Sequence, residues 1–147
     1  MADALALSAA LIRRFEGLRL RPYLCSAGVA TIGYGATFYE DGARVAMTDP
    51  AITTARADAL LDVMIRAKFL PAVVKLCPGA DTPERVAALT SFAFNIGTGA
   101  LRSSSLRRAV NAGDWDEAKA QILRWNKAGG RVVKGLTVRR VAEAALL

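Results

Sequence analysis

The spacing of apolar residues in the first fifteen positions is typical of an amphipathic helix. The apolar positions that define it are Leu5, Leu7, Leu11, Ile12 and Phe15. We expect this helix to end near Glu16-Gly17, because glycine permits the left-handed conformation that closes many helices. Glu16 is therefore expected at the C-terminal end of the first helix.

The pattern changes between Tyr23 and Tyr39, where strand-forming residues are interrupted by glycines. The strand formers are Val29, Thr31, Ile32, Tyr34 and Phe38. Residues that are β-branched or aromatic favour strands. The pair Asp41-Gly42 that follows is typical of a tight turn. This segment predicts a small antiparallel hairpin or sheet.

Two helical patterns follow the predicted sheet. The first runs from Thr53 to Leu70, and Pro71 is its expected stop. It predicts a long connecting helix. The second, Pro83 to Ile96, has Thr82 as a capping residue and a proline at its first position, where proline fits a helix. This helix is apolar on nearly all sides, so we expect it at the centre of a helical lobe.

The last third of the chain is also predicted to be helical. One helix ends at Asn111 to Gly113, and Asp114 with Glu117 three residues later is typical of the next helix start. We expect Gly129-Gly130 in a loop. A basic helix from Thr137 to Leu147 is predicted to close the chain.

The composition places the chain among ordinary globular domains, with 147 residues, 53% hydrophobic and 22% charged. A chain of this length buries enough surface to form a core without disulfides or metals. Histidine is absent, which excludes Ser-His-Asp triads, Cys-His pairs and histidine-based zinc sites. Any chemistry must therefore use carboxylates, thiols, hydroxyls or lysines.

Positive charge is concentrated in the last third. Residues 101–147 contain ten Lys and Arg against four Asp and Glu, whereas residues 1–100 contain ten against nine. Such a cationic surface favours an anionic partner, such as nucleic acid, acidic lipid or a bacterial envelope polymer. A solvated basic helical face is the alternative interpretation.

No segment has the pattern of a membrane helix or an export signal. The apolar stretch Ala4 to Ile12 is too short to span a bilayer, and Asp3 stands where a signal peptide carries positive charge. We therefore expect the chain as given to be made and folded in a cytoplasm. Cys25 and Cys77 are expected to be reduced there, although they can pair in an exported protein.

Glu16, Cys25 and Thr31 are separated by eight and five residues. This spacing resembles the signature of the phage-type lysozyme (endolysin) family, glycoside hydrolase family 24: a glutamate, eight residues, an aspartate or cysteine, five residues and a threonine. The likeness continues in order along nearly the whole chain. The further motifs are Ala30 to Gly35, Ser91 to Gly97, Ser105 to Arg107, Gly113 to Trp115, Arg124 to Gly130, Gly135-Leu136 and Arg139-Arg140.

The resemblance implies that Glu16 is the acid that protonates the leaving oxygen of a glycosidic bond. A carboxyl at the end of a helix faces the negative end of the helix dipole, which suits a proton donor. Cys25 and Thr31 are then expected across the scissile bond. A thiol is neutral near pH 7 unless its pKa is lowered, so Cys25 would act as a partial thiolate, as a nucleophile, or as a polar neighbour of a water held by Thr31.

By the same resemblance, five further residues are expected to line the saccharide cleft. They are Thr37, Phe94, Asn95, Ser105 and Gln121. Aromatic rings pack against the apolar faces of sugars, and amides and hydroxyls hydrogen-bond their polar groups.

We therefore predict an α+β, lysozyme-like fold in one domain covering residues 1–147. A small N-terminal β-sheet lobe, roughly residues 14–52, is expected to be joined by the helix at 53–70 to a larger helical lobe, residues 71–147 plus the N-terminal helix. The resemblance implies a muramidase that hydrolyses the β-1,4 bond between N-acetylmuramic acid and N-acetylglucosamine for host cell lysis. It implies no metal and no organic cofactor.

The expected partners are peptidoglycan and the anionic envelope surface, with no nucleic acid, and the expected state is a monomer. The protein is expected in the host cytoplasm before release and in the periplasm or cell wall when it acts.

Two alternatives remain at this point. A lytic transglycosylase uses one glutamate and no water, and releases an anhydro sugar. A cationic membrane-active or wall-binding module without catalysis would use Arg139 and Arg140 on an apolar helix.

Overall fold

The computed structural model describes all 147 residues, which form eight α-helices, one π-helical turn and two small antiparallel sheets. The helices are α1 (Ala2–Phe15), α2 (Thr54–Met64), α3 (Leu70–Leu76), α4 (Pro83–Ile96), α5 (Thr98–Ser103), α6 (Ser105–Asn111), α7 (Trp115–Leu123) and α8 (Lys134–Ala144). The strands are β1 (Arg19–Leu24), β2 (Ala30–Gly33), β3 (Lys127–Ala128) and β4 (Arg131–Val132). The predicted α+β fold is confirmed.

The N-terminal sheet pairs β1 with β2, with Tyr23 opposite Thr31. Its first strand begins at Arg19, four residues before the predicted start. The missed residues, Arg19 to Pro22, include a proline and two arginines rather than strand formers, and most of them are exposed. The predicted turn at Asp41-Gly42 is confirmed: Gly42 has a φ of 84°, and the Asp41 carboxylate accepts a hydrogen bond from Ala43 N–H at 2.9 Å.

The connecting helix is longer than predicted, and Pro71 does not end it. After α2 the chain makes a π-helical turn over Ile65–Phe69 and continues directly into α3, which ends at Leu76. Pro71 lies in the first turn of α3, where a proline fits because its missing N–H is not needed. The turn displaces Phe69 relative to a regular α-helix, and Phe69 borders the cavity described below.

Helix α4 occupies the predicted residues, Pro83–Ile96, and the Thr82 side chain caps it by accepting a hydrogen bond from Arg85 N–H. Every residue from Val86 to Ala93 is buried. Helices α1, α3 and α8 pack against α4, and β2 packs against α2. The core is therefore built around α4, as the sequence predicts.

The C-terminal segment differs from prediction in two places. Gly129-Gly130 is the turn of a β3–β4 hairpin, which was expected only as a loop; both glycines have positive φ, as a two-residue hairpin turn requires. The last helix starts at Lys134 and ends at Ala144, earlier than the predicted Thr137 to Leu147. No helix of the protein is both long enough and apolar enough to cross a membrane.

Candidate active site

A cavity of about 800 Å³ lies between the N-terminal sheet and the helices. Its walls come from the end of α1, the β1–β2 turn, the segment after β2, the α2 to π-helical region and the end of α4. Five of the eight residues predicted for the site line it: Glu16, Cys25, Thr37, Phe94 and Asn95. The cavity therefore gathers residues that are up to 79 positions apart in the sequence.

Glu16 lies at the C-terminal cap of α1, and its backbone is extended, with φ −88° and ψ 139°. The chain therefore leaves the helix at Glu16 itself. The expected left-handed closure at Gly17 is wrong, because Gly17 is not among the glycines with positive φ. The extended backbone carries the Glu16 side chain to the rim of the cavity, where 28% of it remains exposed.

The Glu16 carboxylate is held by Arg139, 123 residues away in the sequence. Arg139 Nη1 donates a hydrogen bond of 2.7 Å to Glu16 Oε1. Only 5% of the Arg139 side chain is exposed, and its guanidinium also lies over the Phe15 ring, 5.7 Å from the centroid. A charge-assisted contact to a nearly immobile guanidinium fixes the direction of the carboxylate.

Arg139 belongs to a buried cluster centred on Glu143, which is 0% exposed. Arg139 Nε donates to Glu143 Oε1 at 3.3 Å, and Ser91 Oγ donates to the same oxygen at 2.7 Å. Arg140 Nε lies 2.7 Å from Glu143 Oε2 as an ion pair. Burial raises the pKa of Glu143, and the two guanidiniums and the Ser91 hydroxyl oppose that effect.

This cluster corrects the expectation that Arg139 and Arg140 lie on the cationic surface. They are 4% and 0% exposed. Their charges are compensated inside the protein, so the proposed membrane-active helix loses the two arginines on which it rested. The sequence signal was the spacing of the two arginines to Glu143, three and four residues later, because such pairs meet on one helix face.

Arg140 connects the cluster to the cavity by a second route. Its Nη2 donates to Asn95 Oδ1 at 2.8 Å, and Asn95 lines the cavity. The guanidinium also lies over the buried Phe92 ring, 5.1 Å from the centroid. Burial lowers the pKa of Arg140, and the neighbouring Glu143 carboxylate opposes that change.

Cys25 begins the turn that joins β1 to β2. Its backbone N–H donates to Val29 O at 3.0 Å, and its carbonyl accepts from Gly28 N–H at 2.8 Å. The backbone amides of Val29 and Ala27 lower the pKa of the Cys25 thiol. The thiol is free and partly exposed at the cavity.

Thr31, on β2, supports this turn through its side chain. Thr31 is 3% exposed and does not line the cavity. It lies opposite Tyr23 in the pairing of β1 with β2, next to the turn that begins at Cys25. Its hydroxyl donates to Val29 O at 2.8 Å. That bond uses the hydroxyl proton and leaves the oxygen able to accept another.

Two predicted cleft residues lie outside the cavity lining. Ser105 is exposed at the start of α6, where its hydroxyl accepts a hydrogen bond from Arg108 Nη2 at 2.8 Å. Gln121 lies on α7 and donates to Glu117 Oε1 at 2.6 Å. Both side chains make contacts within their own helices rather than with residues of the cavity.

The cavity has further walls that sequence reasoning missed. Phe69, on the π-helical turn, packs against Phe94 with ring centroids 4.9 Å apart. Tyr39 lines the opposite side, and its hydroxyl donates to Asp49 Oδ2 at 2.9 Å. Lys68 also borders the cavity. No group of three or more acidic or thiol side chains converges to hold a metal ion.

The comparisons with known proteins agree on one family. The model described as phage lysozyme matches residues 13–143 of this chain. The chain is 38% identical over 138 residues to the endolysin of Bacillus phage B103, covering 92% of this chain and 50% of that protein. It is 37% identical over 145 residues to the endolysin of Acyrthosiphon pisum secondary endosymbiont phage 1, covering 92% of this chain and 91% of that protein.

Solved structures include a mutant of P22 lysozyme that superposes with a TM-score of 0.84 at 32% identity, covering 95% of this chain and 93% of that one. The chain spans about half the length of the Bacillus phage endolysin.

Proposed function

The chain belongs to the phage lysozyme family, and from this premise we propose that it is an endolysin that hydrolyses peptidoglycan. The proposed bond is the β-1,4 linkage between N-acetylmuramic acid and N-acetylglucosamine. The observation that carries the proposal is that Glu16 and Cys25, at the family's spacing, line the same cavity. Glycoside hydrolysis needs an acid that protonates the leaving oxygen, and a second group across the bond that attacks the sugar or activates water.

Glu16 is the proposed general acid. It protonates the glycosidic oxygen as the bond to the anomeric carbon breaks, and the leaving sugar departs as a neutral alcohol. Arg139 holds the carboxylate at 2.7 Å and keeps it aimed into the cavity. With no histidine in the chain, no imidazole competes for this role.

Cys25 is the proposed second group. Its lowered pKa increases the fraction present as thiolate. A thiolate there takes one of two roles. It attacks the anomeric carbon to form a glycosyl thioether, which water then cleaves with Glu16 as the base, or it takes a proton from a water that attacks the anomeric carbon directly. Thr31 assists by supporting the turn, because its hydroxyl donates to Val29 O at 2.8 Å.

The saccharide is proposed to bind along the cavity wall formed by the Phe69 and Phe94 rings. These rings offer an apolar surface to one face of a sugar. Asn95 and Thr37 supply amide and hydroxyl groups for the polar edges. Ser105 and Gln121 remain candidates only for substrate that extends beyond the cavity.

The exposed face of the last third is proposed to attract the anionic envelope. Seven basic side chains there are exposed: Arg102, Arg108, Lys119, Arg124, Lys127, Arg131 and Lys134. Three acidic side chains are exposed in the same segment. We propose that the enzyme acts as a monomer on the wall after release from the host cytoplasm.

Mass analysis of purified peptidoglycan after digestion tests this function. A hydrolase leaves products with a reducing-end N-acetylmuramic acid, and each cleavage adds one water. A lytic transglycosylase leaves an anhydro sugar that is lighter by one water, and that result would replace the proposed reaction. Intact peptidoglycan after incubation with folded protein would reject catalysis altogether.

A further inference from the structure

One fully buried carboxylate, that of Glu143, connects Glu16 at the end of α1 with Asn95 on α4. Glu143 is 0% exposed and lies between two guanidiniums, each of which reaches a different residue of the cavity. Through Arg139 it connects to Glu16, and through Arg140 to Asn95. Glu143 itself does not line the cavity.

The Arg139 connection is fixed at several points. Its Nε donates to Glu143 Oε1 at 3.3 Å, and its Nη2 donates to the Ser91 carbonyl at 3.2 Å. A guanidinium is planar and rigid, so two anchored nitrogens determine the direction of the third. The third, Nη1, is the one that donates to Glu16.

The Arg140 connection uses the same carboxylate. Its Nη2 donates to Glu143 Oε1 at 3.0 Å and to Asn95 Oδ1 at 2.8 Å. Ser91 Oγ occupies the same Glu143 oxygen from α4, the helix that also carries Asn95. Removal of the carboxylate would leave two buried guanidiniums side by side, without the anion that neutralises them and holds their orientations.

We propose that Glu143 is a positioning residue that sets the orientations of Glu16 and Asn95 together. The inference rests on the proposed function, in which Glu16 donates the proton and Asn95 contacts the sugar. A shift of about 1 Å in a group that must meet the reacting atoms can cost about 100-fold in rate. Glu143 thus acts on catalysis without touching substrate.

The test compares Glu143→Gln with Glu84→Gln, a matched change at an exposed glutamate in the first turn of α4. We measure kcat and KM on soluble peptidoglycan fragments, corrected for the folded fraction from urea titration. For Glu143→Gln we expect kcat per folded molecule to fall about 10-fold to 100-fold, with a much smaller change in KM. Glu84→Gln is expected to match the unaltered enzyme.

Ser91→Ala provides a second variant that keeps every charge and removes one hydroxyl from Glu143. It is expected to lower kcat several-fold, and in combination with Glu143→Gln to add little, because both changes disturb the same arrangement. If Glu143→Gln does not fold, Ser91→Ala and Glu143→Asp decide the question. Unchanged kcat per folded molecule in the folded variants would overturn the inference, because a purely structural role lowers only the folded fraction.

A readout that needs no turnover separates this inference from the proposed function. The side-chain amide resonances of Asn95 in NMR spectra report its hydrogen bond to Arg140. We expect them to shift in Glu143→Gln and to stay in place in Glu84→Gln. An inactive native enzyme with shifted Asn95 resonances in Glu143→Gln would reject the proposed function alone, whereas an active enzyme with unmoved resonances would reject the positioning role alone.

Discussion

The two chemical groups of the candidate site are held in opposite ways. Glu16 depends on Arg139, which lies 123 positions away in the sequence and is anchored by a fully buried carboxylate. Cys25 depends on its own turn, where every residue that lowers its pKa lies within six positions. One group is therefore positioned by tertiary packing, and the other by local backbone geometry.

This difference separates the kinds of change to which each group responds. Alterations in α4 or α8 can disturb Glu16 without touching it, because both helices contribute to the buried cluster. The thiol should respond mainly to changes in the β1–β2 turn.

Replacing Glu16 is expected to have the largest effect on catalysis. Glu16→Gln should lower kcat about 100-fold or more, because an amide cannot donate the proton. The fold should persist, since the amide oxygen can still accept from Arg139. Peptidoglycan turnover and circular dichroism measure both effects. A matched control is Glu84→Gln, and substantial activity in folded Glu16→Gln protein would exclude Glu16 as the acid.

The two cysteines should differ about 100-fold or more in alkylation rate. Burial raises the pKa of Cys77 to about 11, whereas the backbone amides near Cys25 lower its pKa below the ordinary 9.0. At pH 8 a thiol with a pKa of about 11 is only about 0.1% ionised, so Cys25 has the larger thiolate fraction. The lower nucleophilicity of a more acidic thiol offsets part of this, and the burial of Cys77 adds to it.

Peptide mapping after limited iodoacetamide treatment measures the two rates. The rate for Cys25 should rise with pH and level off earlier than that of an ordinary thiol. Alkylation of Cys25 should stop turnover, and Cys77→Ser should leave turnover unchanged. Equal labelling of the two thiols in the folded protein would show that the turn does not activate Cys25.

Removing the thiol itself should reduce activity about 10-fold or more. Cys25→Ala lacks a group to attack the sugar or to activate water. Cys25→Asp should retain activity, because it restores a carboxylate at the position where the family signature also allows aspartate. Initial rates on purified peptidoglycan compare the two. Full activity in Cys25→Ala would show that Cys25 takes no part in the reaction and has only a packing role.

The smallest effect concerns surface charge. The last third exposes seven basic and three acidic side chains, so this segment offers a cationic face to an anionic wall. Raising ionic strength should slow lysis of whole envelopes several-fold through screening. Cleavage of a short neutral oligosaccharide should change little. Equal salt dependence for both substrates would argue against electrostatic attraction to the wall.

The local parts of the fold could be predicted from the sequence. Helix α4 has its predicted limits because Thr82 and Pro83 specify its start. The turns at Asp41-Gly42 and at the end of α6 were likewise predictable from their glycines. Cys25 was found from its spacing to Glu16 and Thr31, although the turn that it begins was not predicted.

The parts that depend on distant contacts could not be predicted in this way. The spacing of Arg139 and Arg140 to Glu143 is visible in the sequence. Their contacts with Glu16, Ser91 and Asn95, 45 or more positions away, are not. The π-helical turn that presents Phe69 to the cavity is invisible in the apolar spacing. The residue preferences of one segment do not indicate which charged side chains from other helices will pack against it.

The central claim, that Glu16 supplies the proton to the leaving sugar, is tested most directly by changing the leaving group. Glu16→Gln is compared with the unaltered enzyme on a natural glycosidic bond and on a matched substrate that releases dinitrophenolate, which departs without protonation. We expect a loss of about 100-fold or more on the natural bond and about 10-fold or less on the activated one. An equal loss on both substrates would contradict the role of Glu16 as general acid.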